Sequence, residues 1–77
     1  MKDIVMSDST GKMYAPSDAI RILNIDQVIG YLRYGVELLD VYPTKDIKSG
    51  KSLLVFLFDR KASKEAYDKW CKYELEV

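Results

Sequence analysis

The sequence predicts a small α+β fold, an antiparallel sheet with two helices packed on it in the order (β)-β-α-β-β-α. Three observations predict it. Two strand-like runs rich in β-branched and large apolar residues, VELLDVY at 36–42 and SLLVFLF at 52–58, flank PTKDIKSGK, whose Pro, Asp, Ser and Gly are turn formers, so the runs read as an antiparallel hairpin. The segment NIDQVIGYLRYG places apolar residues at helical spacing between a capping residue and a glycine, and a second helical pattern starts near Ser63. With 77 residues the chain makes one domain, of a size that buries only roughly 60–65% of the surface its unfolded form exposes. Apolar residues at 48% and aromatics at 12% are too abundant for a disordered chain, so a compact fold is expected.

Taken in order, residues 1–18 mix a short apolar patch, Ile4 to Met6, with Ser, Asp, Gly and Pro and read as an N-terminal arm or short strand, which leaves 19–77 as a single α+β domain. AIRIL at 19–23 suits a strand. Asn24 can cap the following helix, Gln27 sits where a capping box needs it, Asp26 favours the positive helix start and Gly35 can take the left-handed stop. Ile25, Val28, Ile29 and Leu32 fall on one stripe and are expected to face the core, while Gly30 suggests a close neighbour at its backbone.

In the run 52–58, Leu53, Val55 and Leu57 point one way and Leu54, Phe56 and Phe58 the other, so both faces of this strand are apolar. Two short helices cover one face. The other falls to residues 1–18 or to a second copy of the chain, and a homodimer is expected. For the last helix the Ser63 hydroxyl is the expected cap, with Glu65 in the first turn, Ala66, Tyr67, Trp70, Cys71 and Tyr73 on one side, and Trp70 in the core.

The chain contains no histidine, which removes the usual general base, the commonest metal ligand and the Ser-His or Cys-His pairings of nucleophilic catalysis. Its single cysteine, Cys71, cannot form an internal disulfide, so a reducing cytoplasm is the expected location, and a structural thiol beside Trp70 is the expected state. The first residues lack the apolar core of a signal peptide, and the longest apolar run is far short of the ~20 residues that span a bilayer. SGKS at 49–52 imitates the end of a phosphate-binding loop, but Lys45 stands where the pattern needs glycine and a strand follows in place of a helix. TGKM at 10–13 lacks both the earlier glycine and the terminal Ser or Thr, and the acidic residues are scattered without calcium-loop spacing. The expectation is therefore no enzyme, no cofactor and no metal.

Twelve basic and twelve acidic side chains cancel, which counts against nonspecific nucleic-acid binding, yet residues 45–72 hold eight Lys or Arg against four acids. Tyrosine is common where an interface wants an apolar body with a polar tip. The expected contact residues are therefore Tyr31, Tyr34 and Tyr42, the first two on the helix, with Lys45, Lys48, Lys51 and Arg60 steering toward an acidic site. The leading expectation is a noncatalytic protein-binding module. The alternative is a small nucleic-acid-binding regulator that uses the basic hairpin.

From about Ile20 to Trp70 the chain also resembles a family of short proteins of unknown function from low-GC Gram-positive bacteria, their phages and mobile elements. The shared pattern is a helix ending in Y-L-x-x-G-V, a hairpin, a V-F-x-F strand and a helix carrying an aromatic, here Tyr31, Leu32, Gly35, Val36, Val55, Phe56, Phe58 and Trp70. These residues set a fold and bring no chemistry with them. What the resemblance implies is context: an inhibitor or regulator of a host protein, such as a defence system in the anti-CRISPR manner.

Overall fold

The computed structural model describes residues 3–75, and the fold is α+β. A two-residue hairpin, β1 (Val5–Met6) with β2 (Met13–Tyr14), opens the chain, and a 3-10 turn at Pro16–Asp18 leads into β3 (Ala19–Ile22). Helix α1 (Ile25–Tyr34), strands β4 (Leu38–Lys45) and β5 (Ser52–Asp59), and helix α2 (Lys64–Cys71) complete it. The main sheet has the order β3-β5-β4, antiparallel throughout, so the most apolar strand lies in the centre. That position suits it, because only a central strand has neighbours on both edges and cover on both faces.

The alternation expected for β5 is observed. Phe58 is buried beneath the helices with Ile22, Val28, Tyr31, Val36 and Ala66, and Phe56 packs at the margin of the same cluster. Val55 and Leu57 are buried on the other face with Ala19, against Tyr14, Leu39 and Tyr42. The second face is thus covered by the N-terminal arm through Tyr14. Of the two covers the sequence allows for this face, residues 1–18 or a second copy, the first is present at this end of the sheet.

Helix α1 runs between the two predicted caps. The Asn24 side chain accepts from the amides of Asp26 and Gln27, and Gly35 sits in the left-handed region at φ 100°, where a side chain would strain the backbone. Gln27 is not seen closing a capping box on the Asn24 amide; its Nε2 donates to the Tyr31 hydroxyl at 3.0 Å. The buried face also differs from the expected one. Of the stripe Ile25, Val28, Ile29 and Leu32, only Val28 is buried; Ile25 is 57% and Leu32 47% exposed. Tyr31 takes the core position, fully buried with its ring edge-on to Phe58 at 5.2 Å between centroids. Tyr31 and Val28 lie one turn apart and form the inward stripe, which turns Ile25, Ile29 and Leu32 to the surface.

Strand β4 starts two residues later than 36–42 predicts and runs through Pro43, which the sequence assigns to the turn. An edge strand tolerates proline where its N–H would point outward. A bulge at Leu39 shifts the register with β5 between Leu38 and Asp40. In α2 only Ala66 is buried, Trp70 packs at the core margin, and Tyr67 and Cys71 are exposed, as is Tyr73 beyond the helix end. The helix is eight residues long and joins the core cluster through Ala66 and Trp70. Ser63 is buried, but its hydroxyl donates back to the Arg60 carbonyl at 3.3 Å and does not cap the helix.

Candidate functional site

The two edges of the sheet are finished differently, and that difference defines the candidate site. In an antiparallel ladder, residues alternately turn their backbone groups toward and away from the partner. The Asp46 amide bonds the Lys51 carbonyl at 2.9 Å, which fixes the alternation in the hairpin: Val41 and Pro43 of β4 face outward. Val41 is satisfied on both counts, its carbonyl accepting from Ser9 Oγ at 2.8 Å and its amide donating to Asp40 Oδ1 at 2.8 Å. Pro43 has no N–H to offer. Thr10 Oγ1 and Lys12 Nζ bond the carbonyls of Leu39 and Leu38, so the arm seals this edge from Leu38 to Val41 and the proline blunts the stretch beyond.

The arm is anchored at Asp40. Its carboxylate accepts from Ser7 Oγ and from the Tyr14 hydroxyl, both at 2.6 Å, and these bonds hold its pKa below the ordinary carboxylate value. The same hydrogen bond pushes the Tyr14 hydroxyl up to about 12. A salt bridge from Lys12 to Glu37 at 2.8 Å adds a solvent-exposed tie.

The opposite edge is open. The Arg60 amide bonds the Asp18 carbonyl at 2.8 Å, which turns Ile20 and Ile22 toward β5 and Ala19 and Arg21 outward. The Ala19 amide donates to Pro16 within the preceding turn. Among the described residues, no strand pairs with the outer side of β3 and no side chain reaches the backbone of Arg21.

Two depressions flank this edge, one on each face of the sheet. On the helix side, a groove of about 540 Å³ runs between β3 and the start of α2, floored by Ile20, Ile22 and Tyr67 and rimmed by Arg60, Lys61 and Lys64. On the other side, a shallower depression of about 510 Å³ is lined by Arg21, Lys45 and Lys48 with Leu23, Leu53 and Ile47. Its one acid, Asp46, is engaged in the hairpin turn, accepting from Ser49 Oγ at 2.8 Å and from the Lys48 amide at 3.2 Å, which lowers its pKa. Cations thus border the open strand on both faces.

The contact residues named from sequence scatter over this frame. Tyr31 is a core residue and cannot meet a partner, because its ring is packed against Phe58. Tyr34 is exposed at the end of α1, and the nearby Glu65 carboxylate raises the pKa of its hydroxyl. Tyr42 is half-buried against Val55 and Leu57. Lys45 and Lys48 line the shallower depression, Arg60 rims the groove, and Lys51 lies exposed in the hairpin. Lys61 and Lys64, which the sequence groups with Arg60 as cations after the last strand, rim the groove with it, whereas sequence reasoning missed Arg21 and Tyr67. The available signal for Arg21 was a lone cation in an otherwise apolar strand, AIRIL.

A further surface is apolar. Leu23, Ile25, Leu53, Leu54 and Pro43 line a shallow recess of about 390 Å³ where β3 gives way to α1, continuous along the helix with exposed Ile29 and Leu32. Among the described residues no helix is long and apolar enough to cross a membrane, and no group of His, Cys, Asp or Glu could hold a metal ion. In comparisons with known proteins, the chain matches no family model, no curated protein and no solved structure.

Proposed function

We propose that the chain is a noncatalytic protein-binding module, an inhibitor or regulator that acts in the cytoplasm by docking onto a host protein. The observation that carries this reading is the outward apolar stripe of α1. Ile25, Ile29 and Leu32, with Leu23 and Leu54 beside them, spend hydrophobic side chains on the surface of a domain whose core has few to spare. Apolar surface gathered on one helix face is the usual substrate of helix-mediated recognition, and the neighbouring cations supply a polar rim. The resemblance to short phage and mobile-element proteins supports the same reading by context and suggests a defence protein as the target.

A nucleic-acid-binding regulator is the second reading, favoured by Lys45, Lys48 and Lys51 at the exposed hairpin. One experiment separates the two. The tagged chain and its Ile25→Asp, Leu32→Asp variant are used to capture partners from host lysate with and without nuclease. The protein-binding reading expects a defined protein that survives nuclease and is lost with the variant. Capture that disappears with nuclease and is indifferent to the variant would replace it with the nucleic-acid reading.

A further inference from the structure

We infer that the open edge of β3 accepts an extended acidic segment of a partner protein as an added strand, its apolar side chains seated in the β3–α2 groove. This deepens the protein-binding reading and rests on it. The first argument is the asymmetry of the edges. Edge strands are normally blunted because unpaired backbone groups recruit other strands. Here β4 is sealed by Ser9, Thr10, Lys12 and Pro43, whereas the outward amide and carbonyl of Arg21 are left unpaired among the described residues. A strand laid along β3 would exchange two hydrogen bonds with Arg21 and take up the Ala19 carbonyl.

The second argument is the apolar groove on one side of that edge. Side chains of an added strand alternate between faces, so every second residue would enter the groove over Ile20, Ile22 and Tyr67. Ile20 and Tyr67 are apolar walls that the chain's own helices leave partly uncovered, with buried Ile22 behind them.

The third argument, charge, selects the occupant. Arg60, Lys61 and Lys64 rim the groove, and no acid lines it among the described residues. Arg21, Lys45 and Lys48 border the other face, where Asp46 is already engaged by Ser49. A segment alternating apolar and acidic residues seats its apolar side chains in the groove and turns its carboxylates to Arg21, Lys45 and Lys48, while the cations at the groove rim add to the attraction at longer range. A second copy of this chain, joined edge to edge, would bring the same cations to the same place, and with the strands centred on Arg21 it would set like charges opposite each other, which is destabilising.

The test uses the isotope-labelled full chain and a synthetic peptide of about eight residues alternating Glu and Val, with a Lys-for-Glu peptide as control. The acidic peptide is expected to slow hydrogen exchange at the Arg21 amide and to shift the Ile20 and Ile22 methyl signals, and the basic peptide is expected to do neither. Lys45→Glu combined with Lys48→Glu, both at exposed positions on the face the peptide's carboxylates meet, should weaken the acidic peptide about tenfold or more while leaving core signals unchanged. No response at millimolar peptide, or a response confined to the α1 stripe, overturns the inference. Protection of the same amides that grows with protein concentration alone would also overturn it and assign the edge to a homodimer. Failure here with continued, stripe-dependent capture of a host protein sinks strand addition and keeps the binding module; loss of both sinks the functional reading itself.

Discussion

Asp40 is the residue through which the N-terminal arm is tied to the sheet, and its protonation should be readable in stability. Its pKa is lowered, first by Ser7 and then by Tyr14. As pH falls below the ordinary value of 3.8, the unfolded chain takes up a proton that the folded one refuses, so this contribution is present above 3.8 and is lost as pH drops through the lowered value. Tyr14 behaves in the opposite sense: between 10 and about 12 the folded chain keeps a proton that the unfolded chain has released, so stability falls as pH rises across that window. Urea melts at graded pH should show both limbs, with Asp40→Asn flattening the acid one and Tyr14→Phe making the alkaline one shallower. Unchanged limbs in both variants would mean that the arm is not held at Asp40. A second residue-scale prediction concerns the core. Tyr31→Ala removes a fully buried ring and should cost about 3–5 kcal/mol, while Trp70→Ala, at the core margin, should cost less. Thermal melts that rank them the other way would place the centre of the core at α2.

Helix α1 has two apolar stripes, and its sequence could not say which faces inward. Val28 with Tyr31 competes with Ile25, Ile29 and Leu32; aliphatic periodicity favours the latter, yet an aromatic ring that fills the space beneath Phe58 wins the core. Because the second stripe is exposed, Ile25→Gln with Leu32→Gln should move stability by no more than about 0.5 kcal/mol per site while removing partner capture. A loss of several kcal/mol in denaturant melts would return the stripe to the core. The two ends of α1, in contrast, were legible: Asn24 and Gly35 are used as their residue types dictate, although neither the Gln27 capping box nor the Ser63 cap of α2 forms, and Asn24→Ala should cost about 1 kcal/mol by the same melts. Helix α2 was legible in existence and poorly in orientation, because eight residues give barely two turns of pattern to read.

At the scale of the molecule, the α+β class, the order of the elements and the two-faced burial of β5 follow from local signals, namely capping residues, turn formers and alternation. The binding edge does not. Whether a strand lies at the edge, which of its amides point outward and what seals them depend on register, and register is set by contacts between residues such as Asp18 and Arg60 that are distant in sequence. Hence Arg60, Lys61 and Lys64 were found as charges, while their place beside the free backbone of Arg21 emerged only from the fold. The central claim, one sealed edge and one open one, is tested most directly by amide hydrogen exchange in the free chain, compared between two outward-facing residues of the same sheet. The Val41 amide, bonded to Asp40, should be protected, and the Arg21 amide should exchange close to the rate of an unstructured peptide. An Arg21 amide as well protected as Val41 at low protein concentration would contradict it.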